Sequence, residues 1–496
     1  MAINPKNSNN IVIGWMALDA TTGYKMSIKT KTSFDGGATW ANPDVKPHFS
    51  STWGSADVSI AFRNNGTVYL NYIDYRQSPD SGGVYITHST DGGITWSPPT
   101  RSWNVNTEDP VKVPLDRPWL RVDNSNSPNQ GMFYLTTKPA PWILPPNRAY
   151  LKTSSDSGQT WSTFRYVDTT GHLIGSVIQQ PMAALSVAAD GALCITFPSY
   201  LAVQSPYPKY YFAKSYNKGA SFSFTDLLVN PVAVPNQNYK LGYVLSANPQ
   251  NANQIAAGFI TNQNGDPDAF VSTTNNGGLT WSPLVRVNDD AISNGVGQDL
   301  IWISYSTNNK LLAVWRDKRN GGGTGYYQPS DMYCAVSLNN GATFQPNVRL
   351  SSMSAPHDTI LTQPGNDFSS CELVNDTIYA AWGDVRTGKL NIYFAKTSIV
   401  TGLGIKTIIN GEDQPSVSIF PNPASEKLVL RFNDPNLTKA LVSVFSFSGE
   451  KIIEKSFANI KQTENMDISA LKAGTYFIKV ESQNKIVYFD KILVMR

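Results

Sequence analysis

Short apolar runs recur evenly along roughly the first 400 residues: Ile11–Trp15, Val68–Ile73, Met132–Leu135, Ala192–Phe197, Ile255–Ile260, Leu311–Trp315 and Ile378–Trp382. A second run follows each at short distance, as in Tyr24–Ile28, Val84–His88, Ala149–Lys152, Tyr210–Ala213, Ala269–Ser272, Met332–Val336 and Asn391–Ala395. No stretch of helical length with a 3.6-residue period interrupts them, so the pattern predicts an all-β array of short strands punctuated by Gly and Asn turns.

After six of these pairs comes one eight-residue box: Ser or Thr, any residue, Asp or Asn, any, Gly, any, Thr or Ser, then Trp or Phe. The copies are SFDGGATW from Ser33, STDGGITW from Ser89, SSDSGQTW from Ser154, SYNKGASF from Ser215, TNNGGLTW from Thr274 and SLNNGATF from Ser337. Their third positions, Asp35, Asp91, Asp156, Asn217, Asn276 and Asn339, lie about 60 residues apart, which sets the repeat length. A tight turn needs a residue with φ > 0, which Gly supplies, and a short side chain that accepts turn N–H groups, which Asp or Asn supplies. The exchange of Asp for Asn in the last three copies marks a structural role, since an acid used in chemistry is not replaceable by its amide. A four-stranded sheet repeated radially is a β-propeller, and the strand pairs predict seven blades, with six as the alternative count.

The boxes resemble Asp-boxes, also called bacterial neuraminidase repeats, and residues 1–405 resemble the sialidase-like propeller superfamily. The resemblance implies an arginine triad that holds a sugar carboxylate, an Asp acid/base, and a Tyr nucleophile assisted by Glu; if the chain is an enzyme, it implies an exo-α-sialidase-like glycoside hydrolase. Departures are visible. An Arg-Ile-Pro motif is absent, and Glu108 and Glu372 are the only glutamates before position 410. Glu372, in the expected first strand of blade seven, is therefore the candidate helper of a Tyr nucleophile.

If strands alternate outward from the axis, the boxes lie on one face and the ends of the second strands on the other. Those ends carry Asp74-x-Arg76, Asp317-x-Arg319 and Asp384-x-Arg386. Three guanidiniums on one face could hold a carboxylate by paired hydrogen bonds; alternatively, each Asp could pair with its own Arg and fix the loop. Entry loops to the first strands add Trp53, Asp57, Glu108, Asp109, Gln298, Asp299, Asn366 and Asp367, with Asp116-Arg117-Pro118-Trp119 the best local group. Aromatics beside carboxylates suit a sugar cleft. The candidates are thus Glu372 and Asp116 for catalysis, and Arg76, Arg117, Trp119, Arg319 and Arg386 for ligand binding. No cofactor is expected; the loop Asn262–Asp268 has a composition suited to Ca²⁺ through Asn264, Asp266 and Asp268.

Composition narrows the partners. The 40 Lys and Arg nearly balance 37 Asp and Glu, and charged residues are only 16% while aromatics reach 11%. Neither a nucleic-acid footprint nor a polybasic membrane patch is supported, and no apolar run is long enough to span a membrane. Cys194, Cys334 and Cys371 each sit in an apolar run and read as buried thiols.

After about residue 410 the alternation becomes regular and Glu returns. Residues 415–496, following a linker at 406–414, read as a small Ig-like β-sandwich. Phe420-Pro-Asn-Pro-Ala424, Phe445-Ser-Phe-Ser-Gly449, Ala473-Gly-Thr-Tyr-Phe477 and the terminal Lys491–Arg496 closely resemble the type A sorting domain of the type IX secretion system. That resemblance implies handling by the secretion machinery and a secreted or outer-membrane surface-attached product, for which a signal peptide upstream of Met1 is expected. Two functions stay open: a propeller acting on or binding an extracellular glycan or glycoprotein, and a non-catalytic adhesion or protein-interaction propeller.

Overall fold

The fold was analysed in a computed structural model, which describes residues 1–19, 25–43, 45, 48, 53–76, 82–105, 108–109, 114–140, 143, 147–168, 183–199, 209–229, 242–357, 368–399, 406–409, 417–432, 437–446, 450–482 and 485–495. Two compact units divide the chain, Met1–Thr407 and Ile408–Arg496. No helix occurs among the described residues.

The apolar runs become central strands buried on both faces. In Leu311–Asp317 every residue is buried. Leu311, Ala313 and Trp315 pack with Val271 and Ile301, whereas Leu312 and Val314 pack with Cys371, Ile378 and Ala380. Strand periodicity sends alternate residues to opposite faces, so a run apolar at every position is what a sheet needs when a neighbour lies against each face.

The first unit contains seven antiparallel sheets among the described residues. Six have four strands in sequence order, for example Trp53–Phe62, Val68–Arg76, Gly82–Ser89 and Thr100–Asn104. The first has three, Ala2–Asn4, Asn7–Asp19 and Lys25–Ser33, with Ala41 adding one bridge to Thr32. Each sheet shares an apolar cluster with the next, and the last packs on the first through Tyr379, Ala381 and Phe394 against Ile11 and Ile13. The sheets therefore close into a ring. The fourth strand of the seventh sheet is Lys406–Ile409, so part of the stretch read from sequence as linker is sheet.

All six boxes make the same turn. Ser33 Oγ donates to Asp35 Oδ1 (2.7 Å) and accepts the Gly37 N–H (2.8 Å), while Asp35 accepts the Thr39 N–H (2.9 Å) and hydroxyl (2.5 Å). Asp91 and Asp156 repeat this with Thr95 and Thr160. At Asn217, Asn276 and Asn339 the carbonyl oxygen still accepts the backbone N–H, but the amide now donates to the hydroxyl of Ser221, Thr280 or Thr343 at 2.8–2.9 Å. A hydroxyl both donates and accepts, which is why acid and amide are interchangeable here. Gly37 (φ +94°) and Gly278 (φ +96°) have no room for a Cβ, which would meet Phe394 or Phe212 of the preceding sheet. Trp40 and Trp281 pack edge-on against those same rings at 5.1 and 5.2 Å, so each box also rivets its sheet to the one before.

In the second unit, Val417–Phe420, Lys427–Phe432 and Thr463–Asp467 form one sheet, and Lys439–Phe445, Lys451–Ala458, Gly474–Ser482 and Lys485–Val494 the other. Leu428, Leu430 and Phe432 from one, and Val442, Val444, Ile478 and Val480 from the other, share one core, as the alternation in the sequence requires.

The box geometry predicts that Asp156→Asn changes thermal stability little, within about 0.5 kcal/mol, whereas Asp156→Ala costs about 1 kcal/mol through the lost turn bonds. The Thr160 hydroxyl and N–H hold Asp156 down to about 2. Its contribution is therefore complete above the ordinary aspartate value of about 3.9 and is lost as pH falls towards 2, so the Asn variant should gain on the parent in melts below about pH 4.

Candidate functional site

Strand pairing places the boxes and the Asp-x-Arg motifs at opposite ends of the sheets. In the second sheet Val68 pairs with Ser89, at the box, while Asp74 pairs with Gly83 at the far end. The sixth sheet repeats this, with Leu311 against Ser337 and Asp317 against Asp331.

Two of the three motif arginines are bonded to the Asp two residues earlier and to a neighbouring loop. Arg386 donates through Nε (3.0 Å) and Nη2 (2.5 Å) to Asp384 and through Nη1 to Ser352 Oγ (2.8 Å), with its guanidinium 4.2 Å from the Tyr393 ring centre. Arg319 bonds Asp317 (2.9 Å), Asp289 (2.5 Å) and Asn347 (2.9 Å), above Tyr333. Arg76 ends its strand exposed, and Asp74 is bonded by Ser55 Oγ (2.9 Å) and His48 Nδ1 (3.1 Å). Arg319 and Arg386 thus show the pairing of each Asp with its own Arg that the motif allowed.

A device that sequence reading did not resolve shapes the axial end. The first strands of the second, third and sixth sheets each carry a bulge, between Ala56 and Ser59, Asp116 and Trp119, and Asp299 and Trp302. Each holds a non-glycine residue in the left-handed region: Asp57 (φ 53°), Arg117 (φ 53°) and Leu300 (φ 55°). Bulges re-aim side chains, and strain of this kind gathers at sites. Just before each bulge a polar residue is bonded by its partner across the ladder or bonds to it: Ser55 to Asp74, Lys138 to Asp116 (2.5 Å), and Arg316 to Asp299 by two bonds of 2.6 and 2.5 Å.

The neighbouring bulges of the second and third sheets meet. The Arg117 N–H donates to Asp57 Oδ2 (3.1 Å), and the Arg117 Nε lies 3.6 Å from Asp116 Oδ2. Burial, then the Asp116 charge, push Asp57 well above the usual carboxylate range. Burial would raise Asp116 too, but its polar neighbours, Asp57 and then the Lys138 and Arg117 charges, hold it low.

Beside this pair lies a cavity of about 170 Å³. Its wall includes Trp15, Asp57, Trp119, Arg121, Trp302, Phe368, Glu372 and Trp382. Trp119 sits 5.6 Å from Trp302 and edge-on to Phe368 at 5.0 Å. Arg117, outside the wall, lies 4.7 Å from the Phe368 ring centre. Glu372 accepts from Ser304 Oγ (3.2 Å) and is raised by burial, against the opposing pull of Arg121; burial in turn lowers Arg121. The cavity also runs along Ile13–Met16, a stretch of the second strand that lies beyond the short Ala2–Asn4 pairing and has no ladder partner on that side among the described residues. Asp116, expected as an acid, faces Lys138; the carboxyls in the wall are Asp57 and Glu372.

The remaining candidates are engaged by neighbouring side chains. Glu108 bonds the buried Lys152 (2.7 and 2.8 Å), and Asp109 accepts from Tyr150 (2.7 Å). Gln298 accepts from Asn288 (2.9 Å), and Trp53 packs edge-on to Tyr85. Asn366 and Asp367 lie outside the described residues. In the loop read as suited to Ca²⁺, Asp268 takes Asn264 (2.8 Å), Asn288 (2.6 Å) and Arg286 (2.8 Å), and Asp266 takes the Gly295 N–H (2.7 Å). Among the described residues no three acidic, His or Cys side chains are grouped as metal ligands. All three cysteines are buried, and burial raises the Cys194 thiol to about 12.

With the geometry in hand, comparison with known proteins places two segments. Residues 418–495 match the Secretion system C-terminal sorting domain, and residues 87–98, which hold the second box, match the BNR/Asp-box repeat. No curated protein matches the chain. Among solved structures, a Hadza microbial sialidase is similar at 15% identity and a TM-score of 0.44 over 70% of this chain; the match spans 66% of the sialidase, just under two thirds of its length. A Penicillium chrysogenum alpha-L-arabinanase (14%, TM-score 0.40) is covered over 87% by 64% of this chain, and the Aleuria aurantia lectin (11%, TM-score 0.41) over 96% by 73%.

The strut geometry predicts a stability phenotype. Arg386→Ala should destabilise the chain by about 3 kcal/mol, since it strands the buried Asp384, and Arg386→Lys should recover only part because a lysine cannot supply the two-pronged bond. Arg76→Ala, at an exposed strand end, should stay within about 0.5 kcal/mol in the same denaturant titration.

Proposed function

We propose that residues 1–409 form a seven-bladed β-propeller that is exported through the type IX machinery and binds an extracellular glycan at the axial cavity. The observation that carries this reading is the cavity wall, where Trp15, Trp119, Trp302, Phe368 and Trp382 surround Asp57, Arg121 and Glu372. Rings cover the C–H faces of a sugar and a few fixed polar groups orient its hydroxyls, which is the usual make-up of a small-molecule pocket. The free backbone edge at Ile13–Met16 adds further donors and acceptors.

Binding is favoured over sialidase-type turnover for two reasons. No tyrosine lies in the wall among the described residues, leaving Glu372 without a nucleophile to assist. Arg319 and Arg386 are held by Asp317 and Asp384 and so are unavailable to clamp a sugar carboxylate. The exo-glycosidase reading keeps one supporting feature, Glu372 in the cavity with its pKa raised.

The sorting domain at 418–495 supplies the address. Its truncation should leave the propeller inside the producing cell, as read by cell fractionation.

Screened on a glycan array, the full chain should retain a defined subset of glycans, and Trp119→Ala should weaken retention at least about tenfold, the worth of one lost sugar-facing ring. Absence of any glycan binding would sink the proposal. A fluorogenic sialoside should remain uncleaved; turnover abolished by Glu372→Gln would replace the binding reading with the enzymatic one.

A further inference from the structure

The first strands around the axis carry two tiers of side chains. Residues two apart on a strand point the same way, so Arg121 follows Trp119, Ser304 follows Trp302 and Glu372 follows Ser370, each one step nearer the box end. Trp119 and Trp302 belong to the third and sixth sheets, which are not neighbours in the ring, yet their rings lie 5.6 Å apart. Their contact crosses the axis. One step deeper, Arg121 stands opposite Ser304, whose hydroxyl is bonded to Glu372 of the seventh sheet at 3.2 Å.

The deeper tier holds two opposite charges that do not close on each other. Arg121 donates through Nη1 to the Leu120 carbonyl of its own strand (3.1 Å), and Glu372 accepts from Ser304; among the described residues neither makes an ion pair. Arg286, Arg316, Arg319, Arg349 and Arg386, by contrast, each meet an Asp. A guanidinium has five N–H donors to place, so Arg121 keeps donors for something else. Both charges line the same cavity of about 170 Å³, well under the roughly 300 Å³ at which sites for drug-sized ligands begin, so one small group reaches both.

The two charges together select what fits between them. An anion would pair with Arg121 but meet Glu372 as a like charge, and a cation would pair with Glu372 but meet Arg121. A neutral group with an acceptor beside a donor serves both. Neighbouring hydroxyls and an amide have that make-up. The apolar remainder of the wall, Ile13, Ile60 and Ile392 beside the tryptophans, favours an amide that also carries a methyl group to bury. We propose that the cavity recognises the acetamido group of a chain-end N-acetylhexosamine, with Arg121 donating to the amide oxygen, Glu372 accepting the amide N–H and the apolar wall covering the methyl. This rests on the glycan-binding reading and names the class of sugar for it.

The test titrates the full chain by NMR with two matched pairs, N-acetylglucosamine against glucose and N-acetylgalactosamine against galactose, and with glucuronic acid and N-acetylneuraminic acid. In at least one pair the acetamido sugar should bind about tenfold more tightly than its parent hexose. Both acids should bind more weakly than that sugar, although N-acetylneuraminic acid carries the same acetamido group, because their carboxylate meets Glu372. Glu372→Gln keeps an acceptor and should keep most of the preference, whereas Glu372→Leu and Arg121→Met should each cut it to below about threefold. Should a single variant fail to fold because it leaves one charge unopposed, the double variant Arg121→Met with Glu372→Leu removes both and should bind each acetamido sugar and its hexose alike. Equal binding within both pairs, or tighter binding of either acid, overturns the proposal and leaves glycan binding standing. Failure of the parent to bind any sugar, here and on the array, overturns both.

Discussion

The structure of the first unit depends on one constraint: nearly every second strand is apolar on both faces, so every sheet needs two neighbours. An open stack would leave its end sheets with a bare face, and the large clusters that Leu311–Asp317 shares with the sheets on either side show how much area is at stake. Closing the stack into a ring removes the ends. The contact between Ile11, Ile13 and Tyr379, Ala381, Phe394 is therefore the same kind of joint as the other six, although the residues it joins are almost the whole unit apart in sequence. The box contributes at this level because its Trp and its second Gly fit against a ring of the preceding sheet, as Trp40 does on Phe394.

Closure also decides where polar groups can go. With both faces of each sheet committed to packing, polarity is confined to strand ends and to the first strands around the axis. At the strand ends charges neutralise one another inside each sheet: Arg386 with Asp384, Arg349 with Asp331, Arg286 with Asp268. Around the axis, three bulges interrupt the regular alternation, and there the second and third sheets meet through the Arg117 N–H and the Asp57 carboxyl, as the sixth and seventh meet through Ser304 and Glu372.

This division explains what the sequence made legible. The boxes could be read because their bonds run between residues two and four positions apart, and the same spacing recurs six times. The Asp-x-Arg motifs could be found for the same reason, but their use could not be settled, because the additional partners of Arg319 and Arg386, namely Asp289, Asn347 and Ser352, lie about 30 residues away in neighbouring loops. Asp57 stood out only as one polar residue of an entry loop, and its bond from the Arg117 N–H spans a full repeat. The aromatic wall was half visible: Trp119 was singled out beside Arg117, whereas Trp302 and Phe368 looked like ordinary strand and loop residues until the bulges turned them together. For Asp116 a sequence shows an acid next to an arginine but hides the lysine across the ladder, Lys138, with which it pairs.

A repeated fold thus separates two kinds of acidic residue by the test of whether an amide can replace them. At the box, the third position must accept one N–H and exchange one hydrogen bond with a hydroxyl; Asp35 and Asn339 both do so, and the chain uses both. At the axis, Asp116 must carry charge, because the buried Lys138 has to be neutralised, and no amide can do that. Asp57 falls between the two. Its accepted N–H, from Arg117, is a contact an amide could make, yet the chain places there a group that can gain and lose a proton beside a cavity. Packing alone gives no reason for an acid at that position, and this is what directs attention to the axial end as the part of the ring that does more than hold itself together.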